Sequence, residues 1–361
     1  MATLDGGTYP GSRLNGYIVR SDEKILITGA NGFIGTNVLK VLLEYGFSKI
    51  RCLVRSDRNI SKLKNVIGNS NVGVELIQGN LLSRDDCSRA AEDVSIVYHL
   101  AAGVEKSFPG CFMNSAVTTR NLIEALLQNR RLMRFVNISS LAVYSNAKIP
   151  RGGLLDEFSE IDNRLFERWD AYTYGKSKQD QILIEYAKKH NLPYVIVRPG
   201  VVFGPGKAAV TARIGIDTFG IFLHLGLNNK IPFTYVENCA EAVVLAGLKK
   251  GIDKHVFNIL DDDLPKSHEF LKQFKRQVGS FISIPVPYPI WYGFCFLWEK
   301  YSKWSEGQLP PVFNRKKAEI FWKRMRYSNK KAKEMLGWSP RVTMKDGLER
   351  YFQYMKEMKG N

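Results

Sequence analysis

The stretch Thr28-Gly29-Ala30-Asn31-Gly32-Phe33-Ile34-Gly35 constrains this chain more than any other segment. It follows the apolar run Ile25 to Thr28 and opens a helical pattern over Phe33 to Tyr45, so three glycines at three-residue spacing fall in a strand-to-helix turn. Glycine there permits the tight turn, lets backbone N–H groups approach a pyrophosphate, and brings the helix close to the sheet. The triplet in that place implies a dinucleotide site with Gly29, Asn31, Gly32, Phe33, Ile34 and Gly35 at the cofactor; the bland alternative is a merely structural turn.

The alternation continues beyond the turn. Strands are expected at Ile50 to Val54, Val74 to Gln78, Ile96 to Leu100, Phe135 to Ser139 and Tyr194 to Arg198, with helices at Asn114 to Gln128 and Gly175 to His190. Strands alternating with helices imply a parallel sheet covered on both faces, a doubly wound α/β fold of Rossmann type. After Arg198 the rhythm breaks into Gly/Pro-rich sequence, and short strands at Phe233 to Val236 and Val256 to Ile259 flank a helix at Ala240 to Lys249. The 361 residues therefore divide into a dinucleotide-binding domain over 22–200, to which 232–260 returns, and a smaller discontinuous substrate module over 201–231 and 261–361.

Composition narrows the class. Hydrophobic residues make up 45% and charged residues 24%, the range of an ordinary globular protein rather than a disordered one. The five cysteines, Cys52, Cys87, Cys111, Cys239 and Cys295, are scattered without metal-ligand spacing, which implies a reduced, cytoplasmic protein with no metal. Residues 1–20 lack a signal-peptide core, and the apolar stretch around Pro289 to Trp298 is far short of the roughly 20 residues of a membrane helix. The net charge of +17 is spread along the chain, densest over Arg315 to Lys333, and matches no nucleic-acid motif. It reads as a solvated basic face, with attraction for phosphorylated ligands or a peripheral contact with anionic membrane as the functional alternatives.

Two further features carry chemistry. At the end of the second strand, where an NAD site usually has an acidic residue about twenty positions on, stand Arg55, Ser56, Asp57 and Arg58. Guanidinium groups suit a 2′-phosphate, which favours NADP over NAD through Arg55 and Arg58, with Asp57 as the counter-signal. Tyr174 and Lys178 stand four apart on a helix, which brings a phenol beside an ammonium that can lower its pKa toward working pH. Tyr172 and Lys176 have the same spacing. The strand-end pair Ser139-Ser140 could place a hydroxyl on the same substrate oxygen, though such serines are mostly turn formers.

Taken together these segments resemble the extended short-chain dehydrogenase/reductase family. The resemblance rests on the glycine turn, His99-Leu100-Ala101-Ala102, Asn121 to Ala125, Ser139-Ser140 with Val143-Tyr144, Tyr174-Gly175-Lys176-Ser177-Lys178, Arg198-Pro199-Gly200, Phe203-Gly204-Pro205, Tyr235 to Ala242 and Leu336-Gly337-Trp338, so it runs through nearly everything from about residue 22 onward. It implies that Tyr174 is the proton donor or acceptor, that Lys178 holds the nicotinamide ribose, and that Ser140 hydrogen-bonds the reacting oxygen; Ser177-Lys178 completes the pattern that selects Tyr174 over Tyr172. It also implies that Asn80, Leu81, Leu100, Ala101, Ala102, Pro199 and Val201 line the cofactor. Three departures stand out: Asn80 where an Asp often holds the adenine, no acidic residue after strand two, and Thr118 where a glycine is usual.

The expected reaction is hydride transfer between the nicotinamide and a secondary alcohol or ketone on a small-molecule substrate. The segment Ile284 to Trp298 is similar to an apolar stretch of the 3β-hydroxysteroid-dehydrogenase branch, which implies a hydrophobic ring substrate; a packed core helix is its bland reading. The alternative is a nucleotide-sugar epimerase, although Lys230-Ile231-Pro232-Phe233 lacks the Arg-Asp common in that group. Ser139-Ser140-Leu141 carries no carboxylate, which disfavours dehydration. An idle dinucleotide sensor is the third class, and an intact serine, tyrosine and lysine set argues against it. A homodimer is compatible with all of these readings.

Overall fold

The computed structural model describes residues 16–56, 60–68, 73–128, 131–168, 170–207, 211–306 and 308–360. The chain begins by alternating: β1 (Ile25–Thr28), α1 (Phe33–Glu44), β2 (Ile50–Val54), α2 (Ser61–Gly68), β3 (Val74–Gln78), α3 (Arg84–Ala91) and β4 (Ile96–His99). A short α4 (Phe108–Cys111) runs through a π-helical stretch at Phe112–Val117 into α5 (Thr118–Leu127), followed by β5 (Arg134–Ile138), β6 (Leu154–Leu155), α6 (Ala171–His190), β7 (Tyr194–Pro199) and β8 (Val201–Phe203). Then come β9 (Gly215–Thr218), β10 (Ile221–His224), β11 (Phe233–Tyr235), α7 (Val236–Leu248) and β12 (Val256–Ile259). The last elements are α8 (Ser267–Gln277), β13 (Ser283–Pro285), α9 (Tyr288–Trp304), α10 (Arg315–Trp322), β14 (Arg326–Tyr327) and α11 (Met344–Gly360).

Seven strands form one sheet in the order β12-β7-β5-β4-β1-β2-β3, every pair parallel. Parallel strands buried on both faces are mostly apolar, and β1, β2, β4 and β5 are buried at every position, including Arg51, His99, Arg134 and Asn137, which are buried with polar partners. Successive residues serve opposite layers. Ile25, Ile27, Val136 and Ile138 pack with Val38 and Leu42 of α1 and Ala240 and Val243 of α7. Leu26 and Phe135 pack with Cys87 and Ala90 of α3, Leu122 and Leu126 of α5, and Leu183 of α6. This is the doubly wound, Rossmann-type architecture, and strand order reverses between β1 and β4, where such sheets bind ligands beyond the strands' carboxyl ends.

The late return of the chain is visible in β12, which pairs with β7 at the sheet edge, and in α7 against α1's layer. Outside the sheet, Phe203, Phe222, Phe233, Phe270, Phe274 and Phe352 build a separate aromatic core joining β8, β10, β11, α8 and α11. A three-stranded sheet, β13-β10-β9, lies on its border, and Trp291 and Cys295 of α9 pack with Ala318 and Trp322 of α10 against Leu225. All five cysteines are buried thiols.

Three helices depart from expectation in ways that matter for the site. α6 starts at Ala171 rather than Gly175, because Asp170 caps it: its carboxylate accepts from the Thr173 N–H at 3.2 Å and the Thr173 hydroxyl at 2.6 Å. The helix expected from Asn114 is π-helical to Val117 and α-helical only from Thr118. α7 starts at Val236 rather than Ala240, and α2 and α3 were not anticipated.

Candidate active site

The glycine turn has the geometry a dinucleotide requires. Gly29 sits at φ 67°, and the Gly32 N–H donates to the Gly29 carbonyl at 3.0 Å. A Cβ on Gly35 would lie 2.3 Å from the Gly29 oxygen, and one on Gly29 would lie 3.0 Å from the Ala101 nitrogen, so neither position has room for a side chain. α1 opens here with no acidic residue in its first turn, leaving its N–H groups and positive dipole end for an anion.

Two adjoining cavities run along the carboxyl ends of the strands, sharing Gly29 and Ala102 in their walls. The first, about 680 Å³, is lined by Gly29, Asn31, Leu53, Arg55, Ser56, Gly79, Asn80, Leu81, Ala101, Ala102, Asn114 and Thr118. The expected contacts at the adenosine end therefore lie together, and Arg55 is exposed at the end of β2; Arg58 and Asp57 lie outside the described residues. Asn80 sits in a local turn, its Oδ1 accepting from the Leu82 N–H at 3.0 Å.

The second cavity, about 530 Å³, takes in Gly32, Phe33, Ile34, Gly35, Leu100, Ser139, Ser140, Asp170, Tyr172, Lys176, Pro199, Gly200 and Val201, together with Lys207, Thr211, Arg213 and Phe321 from beyond β8. Of the strand-end serines, Ser139 is turned inward, its hydroxyl donating to Asp180 at 2.7 Å. Ser140 lines the cavity beside Tyr172, its hydroxyl accepting from the Ala142 N–H at 3.2 Å.

Tyr174 and Lys178 line neither cavity. Tyr174 is packed among the rings of Phe108, Phe112 and Phe166, at centroid distances of 5.5, 6.3 and 4.5 Å. Lys178 reaches Gln181 at 2.9 Å on the exposed face. The pair one step earlier takes the cavity: Tyr172 meets Ser140, and the Lys176 ammonium donates to the Ile138 carbonyl and to Gln179 Oε1. The reason is helical phase. Two residues along an α-helix turn a side chain by about 200°, and the buried positions Lys176, Gln179, Asp180, Leu183 and Ala187 continue Tyr172's face. Continued from Tyr174, the same steps give Lys178, Gln181, Ile182, Glu185 and Lys189, none of them buried and three of the five exposed. That periodicity was the signal in the sequence, hidden because the helix was started at Gly175.

The electrostatics also differ from expectation. Burial pushes the Tyr172 phenol up to about 12, against the pull of its Ser140 hydrogen bond, rather than down toward neutrality. Burial lowers Lys176 to about 8, with the Asp180 carboxylate one turn on opposing it. Asp180 also accepts from Asn137 at 2.8 Å and Arg198 at 3.0 Å, which fixes the floor beneath the ammonium.

A model of the NAD dependent epimerase/dehydratase family matches residues 25–259, from the first strand of the sheet to its last. The chain belongs to that family. It is therefore an enzyme of an NAD-dependent, extended short-chain dehydrogenase/reductase type, and the glycine cradle fits the family's cofactor. Among relatives of this epimerase/dehydratase-family enzyme, the UDP-glucose 4-epimerase of Vibrio cholerae is 25% identical over 342 residues, covering 92% of this chain and 95% of that one. A 3beta-hydroxysteroid-dehydrogenase/decarboxylase of Arabidopsis thaliana is 21% identical, covering 95% and 82%. The fold is similar to the UDP-glucuronic acid 4-epimerase of Bacillus cereus solved with UDP-glucuronic acid and NAD, at TM-score 0.70 and 23% identity, covering 93% of this chain and 99% of that one.

Sequence reasoning missed Tyr172, Lys176, Lys207, Arg213 and Phe321 as cavity residues of this family member. The last three sit in segments without local motif. Arg213 is held by the Ile320 carbonyl at 3.0 Å with its guanidinium over the Phe321 ring at 5.5 Å, a contact made across more than a hundred residues of chain. Thr118, the departure from the family glycine, lines the adenosine cavity with its hydroxyl on the Ser115 carbonyl at 3.1 Å. The apolar segment Ile284 to Trp298 contributes no residue to either cavity, which removes the ground for a hydrophobic ring substrate.

Proposed function

We propose that the chain is a nucleotide-sugar epimerase that oxidises a ring hydroxyl and returns the hydride to the opposite face. The observation that carries the reading is that Tyr172, Ser140 and Lys176 line one cavity together with two further cations, Lys207 and Arg213, against one carboxylate, Asp170, among the described residues. Two cations suit a diphosphate better than an uncharged ring. A bound oxidised dinucleotide supplies the hydride acceptor. In its phenolate form, which the charges of Lys176 and of a bound oxidised nicotinamide would favour against the burial that raises the phenol, Tyr172 takes the proton of the substrate hydroxyl and gives it back after the sugar has turned over, and Ser140 hydrogen-bonds the same oxygen. Gly29, Asn31, Gly32, Phe33, Ile34 and Gly35 hold the pyrophosphate, Asn80, Leu81, Ala101 and Ala102 line the adenosine side, and Leu100, Pro199 and Val201 flank the nicotinamide. Arg55 is the guanidinium at the adenosine ribose, and because among the described residues, which do not include Asp57, no carboxylate lines that cavity we take NADP as the preferred cofactor. Residues 201–231 and 261–361 form the substrate module, which contributes Lys207, Arg213 and Phe321.

The experiment is to incubate the holoenzyme with UDP-glucose and with UDP-glucuronic acid and follow both sugar and dinucleotide by NMR. An epimerised sugar with no net reduced dinucleotide supports the reading. A keto product with stoichiometric reduced dinucleotide returns the enzyme to the dehydrogenases, the first class expected from the sequence.

A further inference from the structure

Helix α9 buries one side and leaves the other bare. Trp291, Cys295 and Ser302 face inward, whereas Ile290, Phe294, Leu297, Tyr301 and Trp304 are exposed, Ile290 at 64%, Leu297 at 66% and Trp304 at 77%. Their spacing of four, three, four and three places all five on a single stripe. Singly exposed apolar residues need no explanation, but a continuous stripe of this kind does. Just before the helix, Ile282 and Ile284 of β13's segment are exposed as well.

Charge tells what the stripe fits. Lys300 and Lys303 are exposed beside its C-terminal half, and Lys275 of α8 lies at β13 on the other end, its ammonium on the Ser283 hydroxyl at 2.7 Å. The helix's own acid, Glu299, is neutralised by Arg315 at 2.9 Å, leaving Glu306 just past the helix as the exposed acid of that segment. Tyr301 and Trp304 stack at 5.6 Å at the end carrying the lysines, an arrangement of amphipathic rings and cations suited to lipid headgroups. The same stripe could seat a second copy, but each copy would then bring Lys300 and Lys303 toward like charges on a chain of net charge +17.

We propose that this face of α9 docks the enzyme on an anionic membrane surface, lying in the headgroup plane rather than crossing it; among the described residues no helix is long and apolar enough to span a bilayer. This is independent of the epimerase reading, since α9 lines neither cavity. The test is cosedimentation of the full chain with vesicles of equimolar phosphatidylcholine and phosphatidylglycerol, with phosphatidylcholine vesicles as the control. The native chain should bind the anionic vesicles, weaken as salt is raised, and lose about tenfold or more of its binding in Leu297→Glu/Trp304→Glu. Both positions are exposed, so that variant should retain native dinucleotide binding, which serves as the folding control. Absence of vesicle binding, or binding equal in native and variant, overturns the proposal. So does a concentration-dependent dimer that the double variant abolishes in sedimentation without lipid, which would assign the face to a second copy.

Discussion

At the scale of single residues, the account turns on which of two overlapping Tyr-x-x-x-Lys pairs faces the dinucleotide. Both were legible as candidates, because spacing alone places a phenol one turn from an ammonium in each. What separated them was the burial of Leu183 and Ala187 further along the helix, which is a property of phase and not of motif. The placement of Lys176 makes a pH prediction. Its ammonium is lowered to about 8 by burial, so raising pH through that value removes a positive charge from the cavity that the proposed function gives to the dinucleotide. Dinucleotide affinity measured by calorimetry should fall as pH rises above about 8 in the native enzyme, and Lys176→Met should bind more weakly and show no such fall. An affinity flat from pH 7 to 9 in the native enzyme would show that the charge does not act at that site.

At the scale of elements, the strands were the most readable part of the chain, since β1, β2, β4 and β5 are buried throughout and rich in β-branched and aromatic residues, though Arg51, Arg134 and Asn137 interrupt β2 and β5. α2 and α3 were not, because α2 buries only Leu63 and α3 buries only Cys87, Ala90 and Ala91, too little to give an apolar stripe. The start of α6 was misplaced because its cap, Asp170, precedes the first candidate tyrosine rather than following it. That cap is testable by itself. Asp170→Ala should cost about 1 kcal/mol in urea denaturation, and Asp170→Asn, which keeps a capping oxygen, should recover most of it. Equal losses in both variants would mean that the carboxylate acts through its charge rather than as a cap.

At the scale of the whole molecule, the seven-stranded sheet is tied to its helices through buried polar groups as well as apolar ones. His99, at the end of β4, is clamped between the Thr28 and Thr119 hydroxyls, each at 2.8 Å, and burial holds it down to about 3 from the ordinary 6.5. Below pH 6.5 the unfolded chain takes up a proton there that the folded one refuses, so this residue's contribution is lost as pH falls from 6.5 toward 3. Asp261, raised to about 7 by burial, acts in the opposite sense between 3.8 and 7. The effect of His99 is therefore isolated by comparison: His99→Gln should be less stable than native at pH 7, and its Tm should decline less steeply on acidification. Parallel declines would remove His99 as an acid-sensitive member of the core. The sequence offered no sign of this, because a histidine in an apolar strand looks the same whether it is charged or clamped neutral.

The most direct test of the account is to compare Tyr172→Phe with Tyr174→Phe in the epimerisation assay, with dinucleotide content measured in both. Tyr172→Phe should lower turnover by about a hundredfold or more while keeping its dinucleotide, and Tyr174→Phe should stay near native turnover. Loss of turnover in Tyr174→Phe with an active Tyr172→Phe would contradict it.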